Sequence, residues 1–279
     1  MSHPDYIIIG AMKCGTSTLA AQLGAQPGIF MTTPKEPNYF SDDAVFARGP
    51  EWYAGLFAAA APGDLRGEAS THYTKLPTHP QALARLQATG LRPKLIYLLR
   101  DPIERLVSHY IHEWSMGVIR LPLVEALTRH PELISYSCYG RQLAPWVAAF
   151  GADDLLVLHM DGLKRDPQAL LDRVGAFLGR EGLVWQQDLA QMNVSAERIR
   201  RFPLHGLLID NPLAARLRRM LVPQGLRDRI KAARQMQARP ALDAATRAHL
   251  LEIFAKDRAT LLALFPDRPD LAHLYPEPA

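Results

Sequence analysis

The stretch YIIIGAMKCGTSTLAAQL, residues 6–23, decides how the rest of the chain is read. Its β-branched run, Ile7 to Ile9, predicts a buried strand, and the amphipathic run from about Gly15 to Gly24 predicts a helix. Between them, Gly10 and Gly15 stand at the separation of the glycines in the nucleotide-binding loop G-x-x-x-x-G-K-[ST]. The next position of that loop should be lysine. Here it is Thr16, and a lysine lies inside the loop instead, at Lys13. A strand, a glycine turn and a helix N-terminus make an anion site, because free backbone N–H groups and the helix dipole both favour negative charge. Thr16, Ser17 and Thr18 add hydroxyl donors and Lys13 adds a mobile point charge. The plainer alternative is a tight turn before a capped helix. Two glycines, a lysine and three hydroxyls after one apolar run favour the anion site.

Outward from this stretch, the chain alternates strand and helix signals. Strands are expected near Glu68, over Lys94 to Arg100 and over Asp154 to Met160. Helices are expected over 51–60, 79–90, from Asp101-Pro102 onward, over 166–179 and over 241–265. The segment AQPGIFMTTPKEPNYFSDD (25–43) carries three prolines and reads as mostly loop, with Phe30, Tyr39 and Phe40 packing it down. PELISYSCYGRQLAPWVAAFG (131–151) is helical in period, with a kink or break expected at Pro145. This alternation predicts an α/β fold, a three-layer α/β/α sandwich around a central, mostly parallel sheet. A single domain is expected over 1–279, with a nucleotide-binding core over about 1–182 and a helical part over about 183–279 packed on it. Ligands of such sheets bind beyond the carboxyl ends of the strands, where the marked loops cluster.

ATP with magnesium needs an acid at the end of a neighbouring strand to hold the metal. The clearest strand, KLIYLLR, ends instead in Arg100, whose guanidinium fork suits phosphate. Glu68 does end another strand, so the metal-dependent reading stays open at this level. The weight favours a metal-independent site with two anion loops, one at Lys13 to Thr18 and one at Arg100 with Ser108 eight residues on.

GAMKCGTSTL (10–19) resembles the 5′-phosphosulfate loop of sulfotransferases, and LLRDPIERLVSHY (98–110) is similar to their 3′-phosphate loop. The resemblance implies a P-loop-like fold and 3′-phosphoadenosine 5′-phosphosulfate (PAPS) as donor, with no metal. KEPNYFSDD (35–43) resembles the segment carrying the catalytic glutamate in glycan sulfotransferases of the heparan-sulfate type, and GEASTHY (67–73) the segment after it. The resemblance assigns Lys13 to the bridging oxygen of the phosphosulfate. It assigns Gly15, Thr16, Ser17 and Thr18 to the 5′-phosphate, and Arg100 and Ser108 to the 3′-phosphate. Glu36 becomes the base for the acceptor, and His112 falls where some relatives have a second acid–base histidine. Glu68 would orient Lys13 or the acceptor. Those relatives carry a lysine directly after the glutamate equivalent to Glu68. Here it is Ala69, so the acceptor contacts differ. NVSAERIRRF (193–202), with Arg198, Arg200 and Arg201, is expected to replace their C-terminal cofactor loop as a basic flap.

Composition agrees with this reading. The chain has 279 residues, 48% of them hydrophobic and 22% charged, with a net charge of +4, compatible with a polyanionic ligand but too weak to imply nucleic acid. The two cysteines, Cys14 and Cys138, are too few for a disulfide scaffold and read as free thiols. The start MSHPDYIIIG lacks a signal-peptide pattern, and no membrane span is apparent, so a cytoplasmic location is expected. The runs at 198–201 and 216–219 read as solvated basic faces. The acceptor is expected to be a hydroxyl, less readily an amine, of a carbohydrate, glycolipid or small metabolite. A magnesium-dependent kinase and an inactive nucleotide- or glycan-binding module are the competing readings.

Overall fold

The computed structural model describes residues 3–190, 236 and 238–275. Five strands form one parallel sheet: β1 (Tyr6–Gly10), β2 (Ile29–Met31), β3 (Leu65–Ala69), β4 (Lys94–Leu99) and β5 (Leu155–His159), in the order β2-β3-β1-β4-β5. The central strand β1 is buried along its whole length, and β4 at every position after Lys94. Strands buried on both faces read as continuous apolar runs, which is why Ile7–Ile9 and Leu95–Leu99 were visible in the sequence. Helices α1 (Thr16–Gly24), α2 (Asp43–Phe46), α3 (Gly49–Gly55), α4 (Gln81–Ala88) and α5 (Pro102–Met116) follow the first four strands. Helices α6 (Leu123–Arg129), α7 (Glu132–Ser135) and α8 (Tyr139–Phe150) precede β5. The expected three-layer α/β/α architecture is the one observed. Among the described residues, no helix is long and apolar enough to cross a membrane.

Two expectations need correction. The proline-rich segment after α1 is not all loop: Ile29–Met31 forms edge strand β2, in register with Leu65–Gly67. Three residues are too few to show a period, so pairing with β3 rather than any local signal makes this strand. The helical run over 131–151 does break, but at Tyr136–Cys138 and not at Pro145, which lies inside α8. Side chains take the carbonyls that a continuing helix would use. Arg105 Nη2 donates to the Leu133 carbonyl (2.8 Å) and Gln142 Nε2 to the Ser135 carbonyl (2.8 Å).

The helix Ala244–Leu264 packs across α8 and supplies its N-cap. Cys138, at the cap position, makes no side-chain capping bond. The buried Asp257 carboxylate accepts from Gly140 N (2.9 Å) and Arg141 N (2.8 Å), with the Tyr275 hydroxyl at 3.2 Å. The two helices approach so closely that a Cβ on Gly140 would lie 2.6 Å from the Asp257 carbonyl. Asp257→Ala is therefore expected to lower unfolding stability by roughly 2–4 kcal/mol, read as a fall in urea midpoint at unchanged m value. A loss below about 0.5 kcal/mol would mean that water caps α8 equally well.

Candidate active site

The first anion loop joins β1 to α1. Gly10 has no room for a side chain, because a Cβ there would collide with Thr74 Oγ1 and the Tyr97 ring. Thr74 itself donates to the Ile9 carbonyl (2.7 Å), closing the end of the central strand. Gly15 has φ 86°, and a Cβ on it would lie 2.6 Å from Leu163 Cδ1. Lys13, half-buried, also has a left-handed backbone, at φ 70°. Helix α1 starts at Thr16 with no side-chain cap, so its first-turn N–H groups remain open to an anion. Thr16 is buried, Thr18 half-buried and Ser17 exposed. Cys14 is fully buried, and burial pushes its thiol up to about 11 despite the nearby Arg105 charge, so it is not a thiolate at neutral pH.

The second loop leaves the adjacent strand β4. The Ala11 N–H donates to the Leu98 carbonyl (3.0 Å), so the two loops start side by side. The Tyr139 hydroxyl donates to the Arg100 carbonyl (2.8 Å) and lies 3.8 Å from Cys14 Sγ, bridging both loops. Asp101 caps α5 by accepting from Glu104 N (2.9 Å), so this helix N-terminus is already filled by the chain's own carboxylate. An anion at this loop would have to be held by side chains. Arg100 Nη2 lies 3.1 Å from Glu104 Oε2, which also accepts from Arg239 Nη2 (2.7 Å). Ser108, nearly two turns into α5, is half-buried, and its hydroxyl makes no hydrogen bond to the described residues.

Glu36 stands on the loop after β2. Its backbone N–H donates to the Ala69 carbonyl at the end of β3 (3.0 Å). Its Oε1 accepts from Lys35 Nζ (2.8 Å) and Thr71 Oγ1 (3.3 Å). Burial alone would raise its pKa. Lys35, Lys75 and His72 outweigh burial and hold the carboxyl below the ordinary glutamate range. Among the described non-glycine residues, those with a left-handed backbone are Lys13, Glu36 (φ 58°) and Asn38 (φ 55°). Lys13 lies on the loop after β1, and Glu36 and Asn38 lie on the loop tied to the neighbouring strand β3, and such local strain must be held by surrounding structure.

Glu68 supplies that support. It is fully buried at the end of β3 and accepts from the hydroxyls of Ser70 (2.7 Å), Tyr73 (2.6 Å) and Tyr53. Ser70 Oγ in turn accepts from Asn38 N (3.0 Å), and the Tyr73 hydroxyl from Phe40 N (3.4 Å). Burial raises the Glu68 pKa against these three donors. Its oxygens are committed to hydroxyls, unlike the metal-holding acid of the magnesium reading. Tyr39 stacks on Tyr53 at 4.4 Å, so these aromatics pack the Glu36 loop.

A model of the sulfotransferase domain matches residues 3–205. The chain belongs to the PAPS-dependent sulfotransferase family. Mouse heparan sulfate glucosamine 3-O-sulfotransferase 3B1 is 31% identical over 191 residues, covering 65% of this chain and 47% of that protein. Mouse bifunctional heparan sulfate N-deacetylase/N-sulfotransferase 4 is 28% identical over 196 residues, covering 63% of this chain and 22% of that protein. The chain thus spans about half or less of the length of these curated relatives. The solved sulfotransferase from Alicyclobacillus acidocaldarius has the same fold, with a TM-score of 0.67 at 22% identity over 95% of this chain and 96% of that one.

In this sulfotransferase domain the two motif loops come together on neighbouring strand ends, and the Glu36 loop is tied to the end of β3. His112 lies on α5, one turn beyond Ser108 and half-buried. The histidine nearest Glu36 in its electrostatic surroundings is His72, and burial and the Lys75 charge bring its pKa down to about 4, so it bears on Glu36 as a cation only in acid. Arg198, Arg200 and Arg201, proposed as a flap, and the run at 216–219 lie outside the described residues. Arg239, Lys75 and the hydroxyl set around Glu68 were not singled out as site residues from the sequence. Only GEASTHY hinted at them, through its density of hydroxyls after an acid. Ser70 and Tyr73 point their protons at Glu68, so an amide there would face a hydroxyl with a second donor. Glu68→Gln is expected to cost roughly 1–3 kcal/mol of unfolding stability in urea. An unchanged midpoint would show that the hydroxyl chain reverses without penalty.

Proposed function

We propose that the chain transfers a sulfuryl group from PAPS to a hydroxyl of a glycan. The observation that carries this reading is the pairing of two anion loops on adjacent strands, an uncapped α1 N-terminus with Lys13 and a capped α5 start with Arg100, beside a base on the Glu36 loop. The donor carries a 5′-phosphosulfate and a 3′-phosphate on one nucleoside, and two loops of different make-up fit such a pair. The heparan-sulfate relatives support a carbohydrate acceptor.

The residues present fit the donor. The first-turn N–H groups of α1, with Thr16, Ser17 and Thr18, would hold the 5′-phosphate, and Arg100 and Ser108 the 3′-phosphate. PAPS supplies an activated sulfuryl group on a good leaving phosphate. Glu36 takes the acceptor hydroxyl proton as that oxygen bonds to sulfur. Lys13 and the α1 N–H groups offset the charge that grows on the bridging oxygen as its bond to sulfur breaks. Alignment of the two oxygens across sulfur is the work of the two loops, and His112 serves as a second acid–base group near the acceptor.

Adenosine 3′,5′-bisphosphate is expected to bind in the presence of chelator, by calorimetry, and absence of binding rules the reading out. Lys13→Ala should lower turnover and weaken bisphosphate binding together. Glu36→Gln should lower kcat by about 10²–10⁴-fold and leave bisphosphate affinity within about threefold. Full activity in Glu36→Gln removes it as base.

The lowered Glu36 pKa fixes a sign. Above the ordinary glutamate value of 4.5 the carboxylate is ionised, which both readies the base and contributes to stability, since the unfolded chain holds this proton more tightly. Both benefits are lost as pH falls below 4.5 through the lowered folded value. The acid limb of the kcat/KM profile should therefore lie below pH 4.5 in a chain that is still folded, and disappear in Glu36→Gln.

A further inference from the structure

Lys75 follows the short helical turn Thr71–Thr74 at the end of β3, and the mechanism above does not use it. It is only 8% exposed. The segment is clamped in place: Gln142 accepts from Leu76 N (2.8 Å) and donates to the Leu76 carbonyl (3.0 Å). The Lys75 ammonium lies 5.9 Å from the Tyr136 ring centroid, at the edge of cation–π range. Among the described residues, no carboxylate comes within ion-pair distance of it, and no hydrogen bond is made to it. The charges that reach it are Glu36 and Glu113 on the negative side, Arg105 and Lys35 on the positive. His72 and His79, stacked at 4.7 Å, adjoin it, and burial holds both below the usual histidine range.

Arg105 compounds the imbalance. Its guanidinium is fully buried and bonded to Ser137 Oγ (2.6 Å), His109 Nδ1 (3.3 Å) and the Leu133 carbonyl, and among the described residues it meets no carboxylate and its Nη1 has no partner. Since arginine only donates, His109 accepts at Nδ1, carries its proton on Nε2 and turns it to Glu113 at 3.5 Å. His109 is neutral, its pKa near 4, and Glu113 is engaged by it. A largely buried ammonium with a second buried cation nearby favours the arrival of something negative.

We infer that Lys75 is the acceptor-side anion contact of this enzyme, and that it holds a carboxylate or sulfate ester on the sugar whose hydroxyl is presented to Glu36. The inference rests on the sulfotransferase reading. Its position separates it from the donor loops: Lys75 stands past β3 among Glu36, His72 and Tyr136, whereas the donor loops leave β1 and β4. An oxyanion at Nζ would supply the missing partner and restore the charged form of a lysine whose pKa burial has brought down to about 8.

The test fills the donor loops with adenosine 3′,5′-bisphosphate and then titrates glucuronate and inorganic sulfate, separately, into wild type, Lys75→Met and Lys75→Arg. At least one anion should bind the loaded wild type, with Lys75→Met weakening it tenfold or more and Lys75→Arg recovering most of the loss. Bisphosphate affinity should stay within twofold in all three. Preference for glucuronate assigns a carboxylate, and preference for sulfate a sulfate ester. Wild-type anion affinity should also decline as pH rises through about 8, where Lys75 loses its proton, a readout that depends on no variant folding. No anion binding, equal binding by Lys75→Met, or flat affinity from pH 7 to 9 overturns the inference. Failure of wild type to bind the bisphosphate overturns the sulfotransferase reading instead, and is seen before any anion is added.

Discussion

A single buried carboxylate, Glu68, holds the acceptor side of the crevice together. Three hydroxyls from α3 and from the turn after β3 converge on it, and two of them pass the constraint on to the backbone of Asn38 and Phe40. A loop of this length, rich in proline and bearing two left-handed non-glycine residues, would otherwise sample many conformations. Burial penalises the charge on Glu68, and the structure accepts that penalty in return for a fixed Glu36. Directional hydroxyl chains in a dry interior carry more energy per bond than the same bonds at a wet surface.

The donor side is organised by close approach. Gly10 and Gly15 sit where side chains would strike neighbours, and Tyr139 reaches from α8 to bond the Arg100 carbonyl. Helix α8 is itself capped by Asp257 from the helix Ala244–Leu264. A chain of contacts therefore runs from that distant helix through α8 to the start of the second anion loop. The N-termini of α1 and α5 are used differently: one is left uncapped, the other is closed by Asp101. That difference would separate, under the proposed function, a loop offering backbone N–H groups to an anion from one offering side chains.

Much of this was legible beforehand. The loop at 10–18, the arginine closing β4, the Asp101-Pro102 helix start and the alternation behind the parallel sheet are all local: each depends on residues a few positions apart. Strand β2 was not legible, because pairing with β3 makes it. The break ahead of α8 was not, because Arg105 reaches into it from α5 and Gln142 bonds back onto it from within α8. Lys75 closed a loop, Ala69 to Lys75, marked in the sequence as facing the ligand side, but nothing there singled it out, since a lysine near a turn is ordinarily solvated and only tertiary packing buries it.

The sequence by itself determined the fold class and marked two candidate anion loops, because backbone period, capping and the geometry of a phosphate loop are short-range properties, while Glu36 as candidate base came from the family resemblance. Only the tertiary structure decided which groups share an environment: that Glu68 belongs to three hydroxyls, that Arg239 joins Arg100 at Glu104, and that Lys75 is largely buried with no carboxylate in ion-pair distance among the described residues. Those facts depend on desolvation and on distances across the chain, and neither is written in neighbouring residues.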